Sequence, residues 1–249
     1  MNVLDSKSTV WVFGDSFSED AANLPDWSRC ERKRYINEQL GGVPYKLWAR
    51  IVAENIGFNY INKAASGGDF FEHLGGGNSN DQMFYNVTQY SNQFKKGDIV
   101  FIGFTSTNRF QVVKSNGGIE TCLPNHDFGN DTDRHVKTLV DREHPYYVHE
   151  ILQKFKLLET LSKVVGFTIY YWDWTNTFVE KVPTLKPNNW IIYQILGKFE
   201  RTNTIIKNNG GIHHSIFDET NGEYQDGHWG IDSNNIFGTV ISNHLKKIL

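Results

Sequence analysis

Cysteine is scarce in this chain of 249 residues: it has two, Cys30 and Cys122. Two isolated cysteines make neither a disulfide framework nor a CxxC pair, and they read as free thiols. Long hydrophobic runs are missing too. No stretch approaches the roughly 18 apolar residues that a membrane-spanning helix needs. Neither sign of charge dominates, with 25 basic and 28 acidic side chains and a formal net charge of −3. That balance leaves no basic footprint for nucleic acid or anionic lipid. The histidines show no HExxH or similar ligand spacing, and the adjacent His213 and His214 would point apart on a regular element. Asn130-Asp131-Thr132-Asp133 lacks the glycine and the terminal glutamate of a calcium loop. Gly75-Gly76-Gly77 is no GxGxxG and precedes no Walker lysine. No metal and no organic cofactor is therefore expected. The opening residues MNVLDSKSTVWVFGDS lack the charged, apolar and small-residue regions of a signal peptide. Synthesis in a cytoplasm is expected, with the final location open and a virion among the options.

Aromatic residues are plentiful at 14%, with 7 Trp, 11 Tyr and 17 Phe. Such a content opposes disorder, and a chain of this length buries roughly 70–75% of its unfolded surface. Strand and helix patterns alternate along it. Thr9–Phe13, Phe58–Ala65, Asp98–Thr105 and Phe167–Trp172 read as strands. Val43–Asn55, Asp81–Phe94 with Asn80 as N-cap, Pro145–Val165 and Asn234–Leu249 read as helices. Phe110–Leu123, around Ser115-Asn116-Gly117-Gly118, reads as an inserted hairpin. This order is the signature of an α/β fold, a parallel sheet covered on both faces. Ligands bind such sheets beyond the carboxyl ends of the strands.

The residues after each strand are accordingly the informative ones. Gly14-Asp15-Ser16 follows the first strand and can present a serine at a tight turn, as a nucleophile or as a simple helix cap. Asn62-Lys63-Ala64-Ala65-Ser66-Gly67 follows the second, where Gly67 permits close backbone approach. Thr105, Ser106, Thr107 and Asn108 follow the third and offer neutral donors. Asp226-Gly227-His228 precedes the last helix, where a histidine and a nearby carboxylate can serve as base and orienting acid. Each segment alone is weak. Together they place a nucleophile, oxyanion donors and a base in chain order.

The chain resembles the SGNH/GDSL hydrolase family from Val12 to Gly238, through the blocks VFGDSFSE, NKAASG and DGH. The resemblance implies a flavodoxin-like three-layer α/β/α sandwich in one domain, with insertions near residues 20–42 and 110–135. It implies Ser16 as nucleophile, His228 as base, Asp226 as its partner and Gly67 as an oxyanion donor. Two departures mark this sequence. The family's third block is Gly-x-Asn-Asp, whereas here Thr105 stands two after Gly103 and the first asparagine is Asn108. Either Asn108 or Thr105 supplies that donor, or it is missing. The family's last block is Asp-x-x-His; here the spacing is one shorter and Gln225 holds the usual acid position. Either Asp226 or a backbone carbonyl then orients His228. This predicts that Asp226→Asn costs less than the roughly 10⁴ of an essential triad acid.

The implied activity is a serine esterase that removes a short acyl group, most simply acetyl, from a carbohydrate. An O-acyltransferase using the same residues, and a virion or surface glycan-binding module, are the alternatives. No nucleic-acid or membrane partner is expected. Trp27, Arg29, Arg32, Arg34 and Tyr35 in the Asp20–Gly42 stretch are suited either to a sugar or to packing on the core. Asp173 and Trp174, after the fourth strand, are expected at the site rim.

Overall fold

The computed structural model describes residues 7–15, 17–20, 31–64, 79–105, 110–113, 119–122, 145–173, 189–212 and 215–249. The described strands are β1 (Thr9–Phe13), β2 (Asn59–Asn62), β3 (Ile99–Phe104), β4 (Phe110–Val113), β5 (Ile119–Cys122) and β6 (Thr168–Asp173). The described helices are α1 (Glu31–Gln39), α2 (Trp48–Ile56), α3 (Asn80–Tyr90), α4 (Pro145–Val165), α5 (Ile191–Leu196), α6 (Thr202–Asn208), α7 (Ile216–Glu219) and α8 (Ile231–Leu245).

Four strands form one parallel sheet in the order β2-β1-β3-β6. Successive side chains of a strand point to opposite faces, and here both faces are apolar. Val10 and Val12 of β1 pack with Trp48 and Val52 of α2 and with Phe237 and Ile241 of α8. Trp11 and Phe13 pack on the other side with Val87 of α3 and with Val148 and Phe155 of α4. Helices therefore cover both faces of a parallel sheet, an α/β arrangement compatible with three layers. Crossovers from β1 run to β2 on one side and on to β3 on the other. In this strand order the ligand crevice lies at the carboxyl ends of β1 and β3.

The expected four strands, the long helix Pro145–Val165 and the hairpin are present, the hairpin as antiparallel β4 and β5. Several bounds shift for local reasons. The second helix begins at Trp48 rather than Val43, because residues 43–47, which include Pro44, form no helix. Asn80 is not the cap of α3; Ser79 is, its hydroxyl accepting from the Gln82 amide at 3.1 Å. The last helix begins at Ile231, three residues early. Glu219 reaches across from α7 and accepts the Ile231 and Asp232 amides at 3.1 and 3.0 Å, so the cap is not local in sequence.

Candidate active site

The turn after β1 is built by its own side chains. The Asp15 carboxylate accepts the Phe17 amide at 3.0 Å, and the Ser18 amide donates to the Asp15 carbonyl at 2.8 Å. An aspartate closing its own backbone in this way is an Asx turn. Gly14 has a φ of 152°, and a side chain there would run into Ser18. Gly103 on β3 is equally confined: a Cβ would lie 2.6 Å from both Ser18 Oγ and Trp172 Nε1. These two glycines let the ends of β1, β3 and β6 converge. Asn62, which opens the second block, holds the turn from β2 by donating to the Ser18 carbonyl at 2.7 Å. Ser16, Gly67 and Asn108 lie outside the described residues.

Asp226 and His228 do meet. The His228 Nδ1 and the Asp226 Oδ1 are hydrogen-bonded, and the same oxygen accepts the His228 backbone amide at 2.8 Å. The short spacing thus works through a second Asx turn, with Gly227 exposed at its tip. This removes the reason to expect a backbone carbonyl in place of the acid. Burial of the Asp226 carboxyl opposes its ionisation. The hydrogen bonds and charge of His228, with the charge of Arg32, outweigh burial and hold it below the ordinary carboxylate range. An Nδ1–H donated to Asp226 leaves Nε2 as the basic nitrogen. The segment is gripped from behind, because the Ile216 and Phe217 amides of α7 donate to the His228 and Asp226 carbonyls at 2.9 Å each.

One contact relates this pair to the turn after β1. The Phe17 ring lies 4.9 Å from the His228 ring, centroid to centroid, and 5.7 Å from Trp229. The imidazole therefore stands beside the residue that follows Ser16.

Thr105 ends β3 in an unusual setting. The Asn80 side chain pairs with both sides of its backbone, accepting from the Thr105 amide and donating to the Thr105 carbonyl, each at 3.0 Å. This explains why Asn80 caps nothing. The Thr105 hydroxyl is buried and makes no hydrogen bond among the described residues, nor do Ser18 Oγ and Trp172 Nε1. Unpaired buried polar atoms are uncommon and costly, and these sit at the same end of the sheet.

Other expectations change. Arg32 and Tyr35 are buried, so neither is free to meet a sugar. Arg34 is exposed but paired with Glu31 at 2.9 Å and stacked on Tyr224 at 4.5 Å. Asp173 is buried, with its carbonyl accepting from the Thr202 hydroxyl at 3.2 Å, and does not form a rim. Trp27, Arg29 and Trp174 lie outside the described residues. Among the described residues no group of His, Cys, Asp and Glu is arranged to hold a metal ion, and no helix is long and apolar enough to cross a membrane. The chain matches no protein-family model and no curated protein.

Proposed function

We propose that this chain is a serine esterase of the SGNH/GDSL type acting on short acyl esters, in the first instance acetyl groups on a carbohydrate. The observation that carries the reading is the Asp226–His228 pair standing against Phe17, the residue that follows Ser16 in the sequence. In this reading the Ser16 hydroxyl attacks the ester carbonyl as His228 Nε2 takes its proton. The carbonyl electron pair moves onto oxygen, and Asp226 stabilises the imidazolium. Collapse of the tetrahedral intermediate expels the alcohol, which receives the proton from His228. Water then repeats the sequence on the acyl-serine and releases the acid. The oxyanion is held by the Ser16 and Gly67 amides together with the hydroxyl of Thr105, whose backbone is clamped by Asn80 and whose hydroxyl makes no hydrogen bond among the described residues.

Hydrolysis of p-nitrophenyl acetate and butyrate tests the activity. Turnover should favour the acetate and vanish in Ser16→Ala with the fold intact. A Ser16→Ala protein as active as wild type would overturn the reading. Thr105→Val tests the choice of donor. It should lower kcat/KM by about 10²–10³, the usual result of deleting one oxyanion donor. Thermal stability should hold or rise, because the buried hydroxyl that is removed makes no hydrogen bond among the described residues. Wild-type kcat/KM in Thr105→Val, with the loss appearing in Asn108→Ala instead, would assign that donor to Asn108.

A further inference from the structure

Helix α1 has no place in the chemistry just described, yet its side chains reach both halves of the site. On one side, Arg32 Nη2 lies 3.0 Å from Glu19 Oε2 in a fully buried ion pair. Glu19 directly follows Ser18, the last residue of the turn after β1. On the other side, α1 grips the strand of chain leading into Asp226. Arg34 Nη2 donates to the Glu223 carbonyl at 3.1 Å, and its guanidinium lies over the Tyr224 ring. The Tyr224 hydroxyl donates to Glu38 Oε2 at 2.8 Å and accepts from Gln39 Nε2 at 3.1 Å. The Gln225 amide donates to Glu31 Oε2 at 3.3 Å. The Tyr35 ring packs edge-on against Tyr224 at 5.5 Å.

Helix α1 buries two apolar residues, Tyr35 and Ile36, so these polar contacts are what hold it between the two segments. A buried ion pair is weak evidence for stability, since apolar residues of similar volume often do as well. A fixed charge behind an acid–base pair is useful for orientation. After the hydrogen bonds and charge of His228, the charge of Arg32 adds to what holds the Asp226 carboxyl below the ordinary carboxylate range, and Tyr45, Tyr35 and Glu219 are the other titratable groups in the same cluster.

We infer that α1 is a positioning element tying the turn closed by Asp15 and Ser18 to the Asp226–His228 loop, with Arg32 holding it on the first side and Arg34 on the second. The inference rests on the esterase reading for its kinetic consequence, but not for its structural one. The contacts described for α1 are to the segments that carry the site rather than to its acid–base pair. Their role is to hold Nε2 of His228 in register with the turn, where a misplacement of about 1 Å costs about a hundredfold in rate.

The test uses the full chain and three variants. Glu19→Gln with Arg32→Gln replaces the ion pair by two neutral amides that can still bond, Arg32→Lys keeps the charge, and Arg34→Ala releases Tyr224 from the exposed face. Two quantities are read in each folded variant. One is kcat and KM on p-nitrophenyl acetate. The other is the low-field proton signal of the His228–Asp226 hydrogen bond, identified by its absence in Asp226→Asn. The neutral pair should lose about a hundredfold in kcat with KM little changed, and its low-field signal should broaden or vanish. Arg34→Ala should lose about tenfold in the same sense, and Arg32→Lys should recover most of the activity. Wild-type kcat and an unchanged low-field signal in folded neutral-pair or Arg34→Ala protein would overturn the inference. Absence of Ser16-dependent turnover in wild type would instead overturn the esterase reading, and the low-field signal would still decide the role of α1.

Discussion

Asp226→Asn is expected to lower ester turnover by about 10⁴ while leaving the fold in place, the loss typical of a triad acid converted to its amide. The spacing of DGH argues for a smaller loss, but the contacts reverse that expectation. One oxygen of Asp226 receives both the ring Nδ1 and the backbone amide of His228, so the carboxylate sets the orientation of the imidazole and the shape of its loop together. An asparagine keeps one acceptor but loses the charge that favours the imidazolium. The kcat values of the two proteins, compared at matched far-UV circular dichroism, check this directly. A loss below about tenfold would show that Asp226 is not the partner in catalysis. A stability signature accompanies it. The folded-state pKa of Asp226 is depressed, so its ionised form stabilises the native state above the unfolded value near 3.9. That contribution is lost as pH falls through the folded pKa. Acid unfolding below about pH 4 should therefore be shallower for Asp226→Asn than for wild type.

Trp48→Ala should destabilise the protein by about 3–5 kcal/mol, the range for deleting a large buried aromatic. Trp48 is fully buried and packs edge-on against Phe101, Trp172 and Phe237 at 5.1–5.3 Å. Its amide is the first of α2 and donates to Asn234 Oδ1 at 3.0 Å, joining α2 to α8. Its indole N–H donates to the Phe17 carbonyl at 3.4 Å, so the same side chain supports the turn after β1. Loss of activity should follow at temperatures where the variant is still folded. Denaturant unfolding of wild type, Trp48→Phe and Trp48→Ala measures the effect, with Trp48→Phe losing less because it keeps a ring in the cavity. A loss under about 1 kcal/mol in Trp48→Ala would mean that this cluster does not carry the core.

Elements with strong apolar periodicity are legible in the sequence, because their side chains state which face is buried. Thr9–Phe13 and Pro145–Val165 are found to the residue. Helix α1 is not legible. ERKRYINEQ has two buried apolar residues, Tyr35 and Ile36, and is held by charged and aromatic contacts to residues nearly two hundred positions away. The Asp15 turn and the DGH segment can be found as motifs, and the Asx geometry of DGH is implicit in an aspartate followed by glycine. What the spacing alone hides is that such a turn brings the carboxylate back to the ring two residues on. The Asn80 clamp on Thr105 was hidden for a different reason. An asparagine at a helix start reads as a cap, and only the approach of β3 gives it another partner.

The central claim is that Ser16 is a nucleophile activated by His228. The most direct measurement is labelling by a fluorophosphonate, followed by intact mass and peptide mapping of wild type, Ser16→Ala and His228→Ala. One adduct on Ser16 is expected in wild type, none in Ser16→Ala, and labelling slowed by orders of magnitude in His228→Ala. A folded wild-type protein that takes no label, or a Ser16→Ala protein labelled as fast as wild type, would contradict the account.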